Sequence, residues 1–179
     1  IIPNYLAMEK KLIIFTIGCI YILFNTFYFL NIIPPIPLSL TELSIYQGVE
    51  KTSTGGYRII KTNDSWQQKI PLIPNVFSPI KGQGAYCFAR VYAPTSLSTE
   101  IVHRWEFYDK SQGWVTVFTT AYQITGENKN GYRGYTTSKN IQAGKWRCSV
   151  ETVRGQVLGR ETFTVDTSTT ATNLVTVVE

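Results

Sequence analysis

The feature that most constrains this chain is an uncharged run of 22 residues from Leu12 to Ile33. At about 1.5 Å of rise per residue, a helix of that length spans the hydrocarbon core of a bilayer. Buried helices of soluble proteins rarely extend so far without a charge. A cleavable signal sequence has a shorter apolar region followed by small residues, whereas this run leads into a proline-rich segment. We therefore expect one transmembrane helix at residues 12–33, in contact with membrane lipid.

Basic residues next to this run predict its orientation. Lys10 and Lys11 precede it, and no Lys or Arg lies between Ile33 and Lys51. Because basic residues stay on the cytoplasmic side, we expect the N-terminal side inside the inner or plasma membrane and the C-terminal domain in the periplasm or outside the cell. Residues 1–11 are then a short cytoplasmic segment, or the loop that follows an earlier helix of a multi-pass protein.

After the helix, the sequence pattern changes to alternating apolar and polar residues. Residues 34–42 contain three prolines, which end the helix, and are predicted to be an exit linker. The alternation in residues 43–166, interrupted by Gly, Pro, Asn and Ser, predicts an all-β domain, an antiparallel immunoglobulin-like β-sandwich. Residues 167–179 read as a flexible tail. Strands are expected near 43–51, 56–62, 85–93, 100–109, 113–124, 131–137, 144–153 and 157–166, with an irregular connection at 63–84.

Two strands show the clearest alternation. One places Trp146, Cys148 and Val150 on a single face, which we expect to be the core face. The other places His103 and Trp105 inward in the same way. In that second strand Arg104 and Glu106 share the outer face, and Glu106 and Asp109 read as solvated charges at a strand end.

The last predicted strand breaks its own alternation. Val157, Phe163 and Val165 cannot all face the core unless Gly159 and Glu161 do so as well. A β-bulge at Gly159 would reset the pattern, because glycine is common at bulges.

Several of these segments together resemble the bacterial family called domain of unknown function 2914, over about residues 85–166. The Asn31–Leu40 junction also resembles that of multi-pass members, in which the domain follows several membrane helices. The resemblance implies a small β domain on a membrane protein, with no established activity. Its motif residues in this chain include His103, Arg104, Trp105, Gly144, Trp146, Gly159 and Phe163. It is carried by His103-Arg104-Trp105, Tyr132-Arg133-Gly134-Tyr135-Thr136-Thr137-Ser138-Lys139, Gly144-Lys145-Trp146-Arg147 and Gly155-Gln156-Val157-Leu158-Gly159-Arg160-Glu161-Thr162-Phe163.

Cys87 and Cys148 depart from the family pattern, in which we expect ordinary apolar residues at both positions. Each shares the phase of its apolar neighbours in a strand. In immunoglobulin-like sandwiches two such cysteines are bridged across the core and packed against a Trp, here Trp105 or Trp146. The alternative is that both are small buried hydrophobic residues without a bond. A Cα separation within about 7 Å permits the bridge.

The residue content argues against catalysis. The chain has one histidine and three cysteines, too few for a multi-histidine or four-cysteine metal centre. It has no phosphate-binding loop, dinucleotide fingerprint or nucleophile motif. His103 on an apolar strand face is most simply a hydrogen-bonded core residue. We therefore expect no enzyme activity, no cofactor and no metal site.

A binding role remains. Residues 34–179 hold 15 basic and 11 acidic residues, a net charge of +4 that is spread along the chain, so we expect no nucleic-acid partner. Candidate binding residues near turns are Trp114, Tyr132, Arg133 and Tyr135. The leading hypothesis is a non-catalytic interaction or sensory module of a cell-envelope protein, with another envelope protein or upstream helices of the same protein as partner. Alternatives are a glycan-binding module and an accessory domain of a transporter.

Overall fold

The structure is a computed structural model of the chain and describes residues 2–30, 32, 38–53, 55–62, 75–80, 82–93, 97–126 and 131–178. The chain divides into two compact units, residues 1–37 and residues 38–179. The first unit contains a helix, and the second is built from β-strands.

The helix α1 extends over Ile2–Phe29. Its segment Glu9–Phe29 has the length and composition needed to cross a membrane, and among the described residues no other helix does. By length and composition, such a helix fits both a membrane anchor and a signal sequence. The residues expected as a cytoplasmic segment or inter-helix loop at 1–11 are helical from Ile2 onward, as helix formers such as Ala7 and Met8 favour and as a proline tolerated in a first turn permits. The side of the membrane on which they lie stays a prediction. The helix predicted to end at Ile33 ends at Phe29 and is followed by a turn at Leu30.

Three polar side chains in the apolar part of α1 form hydrogen bonds to the backbone of the same helix. Thr16 and Thr26 donate their hydroxyls to the carbonyls of the residues four positions earlier, at 2.9 and 2.8 Å, and the amide of Asn25 donates to the Tyr21 carbonyl at 2.8 Å. These local bonds lower the cost of a polar group in an apolar medium.

The described residues of the second unit form eleven strands in three sheets. A three-stranded sheet has the order β1-β5-β8, a five-stranded sheet β4-β10-β9-β6-β7, and a small sheet β11-β3-β2. Every pairing is antiparallel except the short β4–β10 pair, which is parallel. The strands are β1 Ser39–Tyr46, β2 Gly48–Lys51, β3 Tyr57–Thr62, β4 Val76–Phe77, β5 Ala85–Tyr92, β6 Leu97–Asp109, β7 Gly113–Gly126, β8 Tyr132–Ser138, β9 Gly144–Thr152, β10 Val157–Val165 and β11 Leu174–Val178.

The three sheets form layers around β5. Its residues Ala85, Cys87 and Ala89 pack against side chains of the five-stranded sheet. Phe88, which points to the other side, packs against Val49 and Ile59 of the small sheet. The predicted β-sandwich is therefore present between the two larger sheets, and the small sheet adds a third layer that the sequence did not indicate.

Two predicted boundaries near the start of the β unit are wrong. The exit linker was expected to reach residue 42, but β1 begins at Ser39 because its residues pair with β5. The predicted strand 43–51 is two strands, since the backbone N–H of Gln47 donates to Ile60 and the chain crosses there from one sheet to another.

The flexible tail expected at residues 167–179 contains the strand β11. Its run of β-branched residues favours an extended backbone, and pairing with β3 satisfies the backbone hydrogen bonds of both strands. The irregular connection at 63–84 contains β4, whose pairing with β10 depends on residues far away in sequence. Residues 63–74 lie outside the described part of the chain.

Candidate functional site

Cys87 of β5 and Cys148 of β9 form a disulfide that joins the facing sides of the two larger sheets. Their Cα atoms are 6.6 Å apart, within the separation of about 7 Å that permits a disulfide, and both residues are fully buried. Trp105 and Trp146 belong to the same core cluster. Of the two alternatives that the sequence left open, the structure has the bridge.

His103 and Trp105 share one hydrogen-bond partner in this core. The indole N–H of Trp105 donates to the hydroxyl oxygen of Thr136 at 2.9 Å, and the same oxygen lies 3.0 Å from Nδ1 of His103. Nε2 of His103 lies 3.2 Å from the hydroxyl of Tyr122. Both ring nitrogens of a fully buried imidazole are therefore satisfied, as a structural histidine requires. Sequence reasoning missed Thr136, which only strand pairing places here.

A sulfur of each cysteine and a ring nitrogen of His103 lie within 4.8 Å of one another. This grouping has the residue types of a metal site, but metal ligation needs thiolates. Because the two sulfurs are bonded to each other, the cluster in this state offers an imidazole alone.

Two ion pairs connect β6 and β9 on the outer face of the five-stranded sheet, the face turned away from the disulfide. Arg147 donates from Nε and Nη2 to the carboxylate of Glu106 at 2.7 and 2.8 Å. Arg104 donates to the carboxylate of Glu151 at 3.1 and 2.8 Å. Paired geometry of this kind fixes the direction of both guanidinium groups.

Glu106 is not the solvated strand-end charge that the sequence predicted. It is 7 % exposed, and it also accepts a hydrogen bond from the Ser149 hydroxyl at 3.3 Å. The hydrogen bond from Arg147 holds the pKa of Glu106 below its usual value, against the opposing effect of burial. The sequence did contain a signal for this pair. Alternation places the acidic Glu106 of β6 and the basic Arg147 of β9 on the outer faces of their strands. Asp109, by contrast, is only half-buried, and its carboxylate caps the β6–β7 turn by accepting from the Ser111 backbone N–H.

Trp114 lies on the same outer face, at one end of this charged row. The guanidinium carbon of Arg147 is 4.2 Å from the centre of its ring, and the ring of Tyr108 meets it edge-on at 5.3 Å. The ammonium of Lys145 lies 5.7 Å from the Trp114 ring. We call these four residues the Trp114 patch; Tyr108 within it is 41 % exposed.

The other three candidate binding residues lie on β8 and do not join the Trp114 patch. Tyr132 and Arg133 line a cleft of about 270 Å³ together with Tyr57. The Tyr57 hydroxyl donates to the Arg133 carbonyl at 3.0 Å. Tyr135 packs against the core cluster around Phe88 instead. The four candidates are thus distributed over separate surfaces.

The remaining motif residues are explained by packing. Phe163 meets Trp105 edge-on at 6.3 Å. A Cβ on Gly144, whose φ is +131°, would lie 2.7 Å from the Phe107 ring, and one on Gly159 would clash with Leu40. The bulge in β10 lies between Val157 and Gly159. It turns Val157 outward and leaves Glu161 on the inner face.

Comparison with family models found a match for this part of the chain. Residues 98–165 match the family described as Protein of unknown function (DUF2914). Over these residues the chain is similar to DUF2914. A comparison with curated proteins found no match.

The matched residues include β6 through β10, and therefore His103, Trp105 and both ion pairs. The match is shorter than the resemblance expected over residues 85–166. It omits β5, so the disulfide links the DUF2914 segment to a strand outside it.

The buried imidazole predicts a pH dependence of stability for the β unit. Burial lowers the pKa of His103 from 6.5 to about 4. Between pH 6.5 and pH 4 the unfolded chain binds a proton at His103 that the folded chain does not. The contribution of His103 to the free energy of unfolding is therefore complete above pH 6.5 and decreases as the pH falls. We expect a loss of about 2–3 kcal/mol between pH 7.5 and 4.5 from this residue. Urea unfolding of wild type and His103→Gln measures it, and an equal loss in both proteins would contradict it.

The Glu106–Arg147 pair predicts a rescue. Arg147→Met leaves a buried carboxylate without its partner and is expected to cost about 3 kcal/mol, and adding Glu106→Gln should recover at least half of that loss. Arg58→Met removes the exposed pair with Glu50 and should cost less than about 0.5 kcal/mol. Denaturant unfolding gives all three values. A double variant no more stable than Arg147→Met would show that the carboxylate is not the source of the loss.

Proposed function

We propose that this chain is a non-catalytic interaction or sensory module of a bacterial envelope protein, held at the membrane by α1 and facing the periplasm or the cell exterior. Its partner, another envelope protein or upstream helices of the same protein, docks on the Trp114 patch. The observation that carries the proposal is the fixed stack of Arg147 on Trp114 beside the exposed ring of Tyr108.

The composition of the Trp114 patch supports protein binding. Trp, Tyr and Arg are the residue types most enriched where binding energy concentrates in interfaces. Arg147 is held by Glu106 and Trp114 by Arg147, so little side-chain entropy is lost when a partner binds.

Two observations support placement outside the cytoplasm. Disulfides persist in oxidising compartments and are rare in the cytosol, so the Cys87–Cys148 bridge favours the periplasm or the exterior. Lys10 and Lys11, just before the uncharged run, favour a cytoplasmic N-terminal side. A different observation, a polar cleft described below, favours glycan binding as a second candidate function.

Photo-crosslinking in intact cells tests the proposed docking face. A photoreactive phenylalanine analogue at Tyr108 should give an adduct of one defined mass after irradiation. Because Trp114 is the centre of the patch, Trp114→Ala should weaken that adduct about tenfold. The same analogue at Lys139, an exposed residue after β8, serves as the matched control and should give no adduct.

Two results would contradict the proposed docking face. One is the lack of any adduct at Tyr108 in cells whose membranes contain the protein. The other is an adduct of equal strength at Tyr108 and at Lys139.

A further inference from the structure

A second surface of the β unit is a cleft of about 330 Å³ that shares no residue with the Trp114 patch. Its walls come from the end of β1, the end of β3, the short strand β4, one residue of β10 and the segment 169–172. Because these pieces are distant in sequence, the cleft exists only in the folded domain.

The walls of this cleft are mostly polar. Amide groups come from Gln47 and Asn75, and charged groups from Lys61 and Glu161. Tyr46 and the 46 % exposed Val76 add apolar surface. Hydroxyl groups come from Ser44, Thr62, Ser78, Thr169, Thr170 and Thr172.

Glu161 is the unusual member of this set. It lies opposite Cys148 in the β10–β9 register and so on the core face of β10, where Phe163 and Val165 are buried. Burial raises the pKa of Glu161. Among the described residues its carboxylate accepts a single hydrogen bond, from the Asn75 amide at 2.9 Å. A carboxyl group at a position suited to an apolar side chain costs stability, and such groups are typical of binding sites.

Internal hydrogen bonds hold several wall residues in place. The Gln47 amide donates to the Thr62 hydroxyl at 2.8 Å and accepts from the Thr62 backbone N–H at 3.2 Å. The hydroxyls of Ser78 and Thr169 lie 2.9 Å apart. The polar groups are therefore positioned before any ligand arrives, which reduces the entropy lost on binding.

The chemistry of the walls selects one class of ligand. The single positive charge of Lys61 and the single acidic group of Glu161 offset each other, which favours an uncharged ligand. Hydroxyls and amides both donate and accept hydrogen bonds, as the hydroxyls of a sugar do, and the apolar surface of Tyr46 and Val76 suits the C–H face of a sugar ring. The volume is at the small end of ligand pockets, ~300–1,000 Å³. We propose that this cleft binds a neutral mono- or disaccharide.

Saturation-transfer NMR on the full chain tests this proposal. The chain is kept in a polyoxyethylene detergent, because a detergent with a sugar headgroup would compete. The probes are glucose, galactose, N-acetylglucosamine and their common disaccharides at millimolar concentration. At least one probe should show transfer and bind with a measurable affinity.

Matched variants assign the binding to the cleft. Glu161→Leu places an apolar side chain at a core position, so it should leave the melting temperature unchanged or higher while weakening binding at least about tenfold. Glu100→Leu, on an exposed position of β6, should not change binding. Lys61→Met, at the exposed rim, is a second test that does not involve the core and should weaken binding several-fold. Trp114→Ala should leave saccharide binding intact, which separates this site from the docking face.

Three results would overturn the proposal. The first is that no neutral saccharide shows transfer, and the second is that both Glu161→Leu and Lys61→Met bind with unchanged affinity. The third is that Trp114→Ala loses binding while Glu161→Leu retains it. Failure of the saccharide experiment would not affect the crosslinking at Tyr108, since the two sites share no side chain.

Discussion

The bond between Cys87 and Cys148 fixes the facing sides of the two larger sheets, and the rest of the β unit is arranged around it. The side chains next to it are large and rigid: the ring of Trp105 meets those of Trp146 and Phe163 edge to face. In the chain-entropy model, closing a loop of 61 residues stabilises a domain by about 4 kcal/mol. This contribution suits a unit that also keeps the imidazole of His103 and the carboxylate of Glu106 largely out of water.

The bridge fixes which face of β5 and of β9 points to the core. Because side chains alternate along a strand, it also fixes which residues point outward. Trp146 and Cys148 point to the core, so Arg147 and Ser149, which alternate with them, must point outward, where they meet Glu106. The same rule in β6 separates Trp105 from Arg104. The core and the Trp114 patch are therefore two faces of the same strands, and a change in strand register would destroy both.

Alternation along single strands was enough to predict the buried His103, Trp105 and Cys148, and the glycine at the β10 bulge. It could not predict what depends on pairing between distant strands. Thr136 beneath Trp105, the small third sheet and the β11 strand all depend on register. The separation of Trp114 from Tyr135 also depends on pairing, because the two residues belong to different sheets. The broken alternation of the last strand left the side of Glu161 open, and its cleft is formed by segments more than 80 residues apart.

The β unit folds around a disulfide, and counting free thiols in cells tests this most directly, together with the proposed placement outside the cytoplasm. Cells are quenched in acid, and the protein is denatured and alkylated with a maleimide of large mass, with or without a reductant. The chain has three cysteines, of which Cys19 lies exposed on α1. The account predicts one alkylated thiol without reductant and three with it. Three alkylated thiols without reductant would contradict both the bridge and the placement outside the cytoplasm.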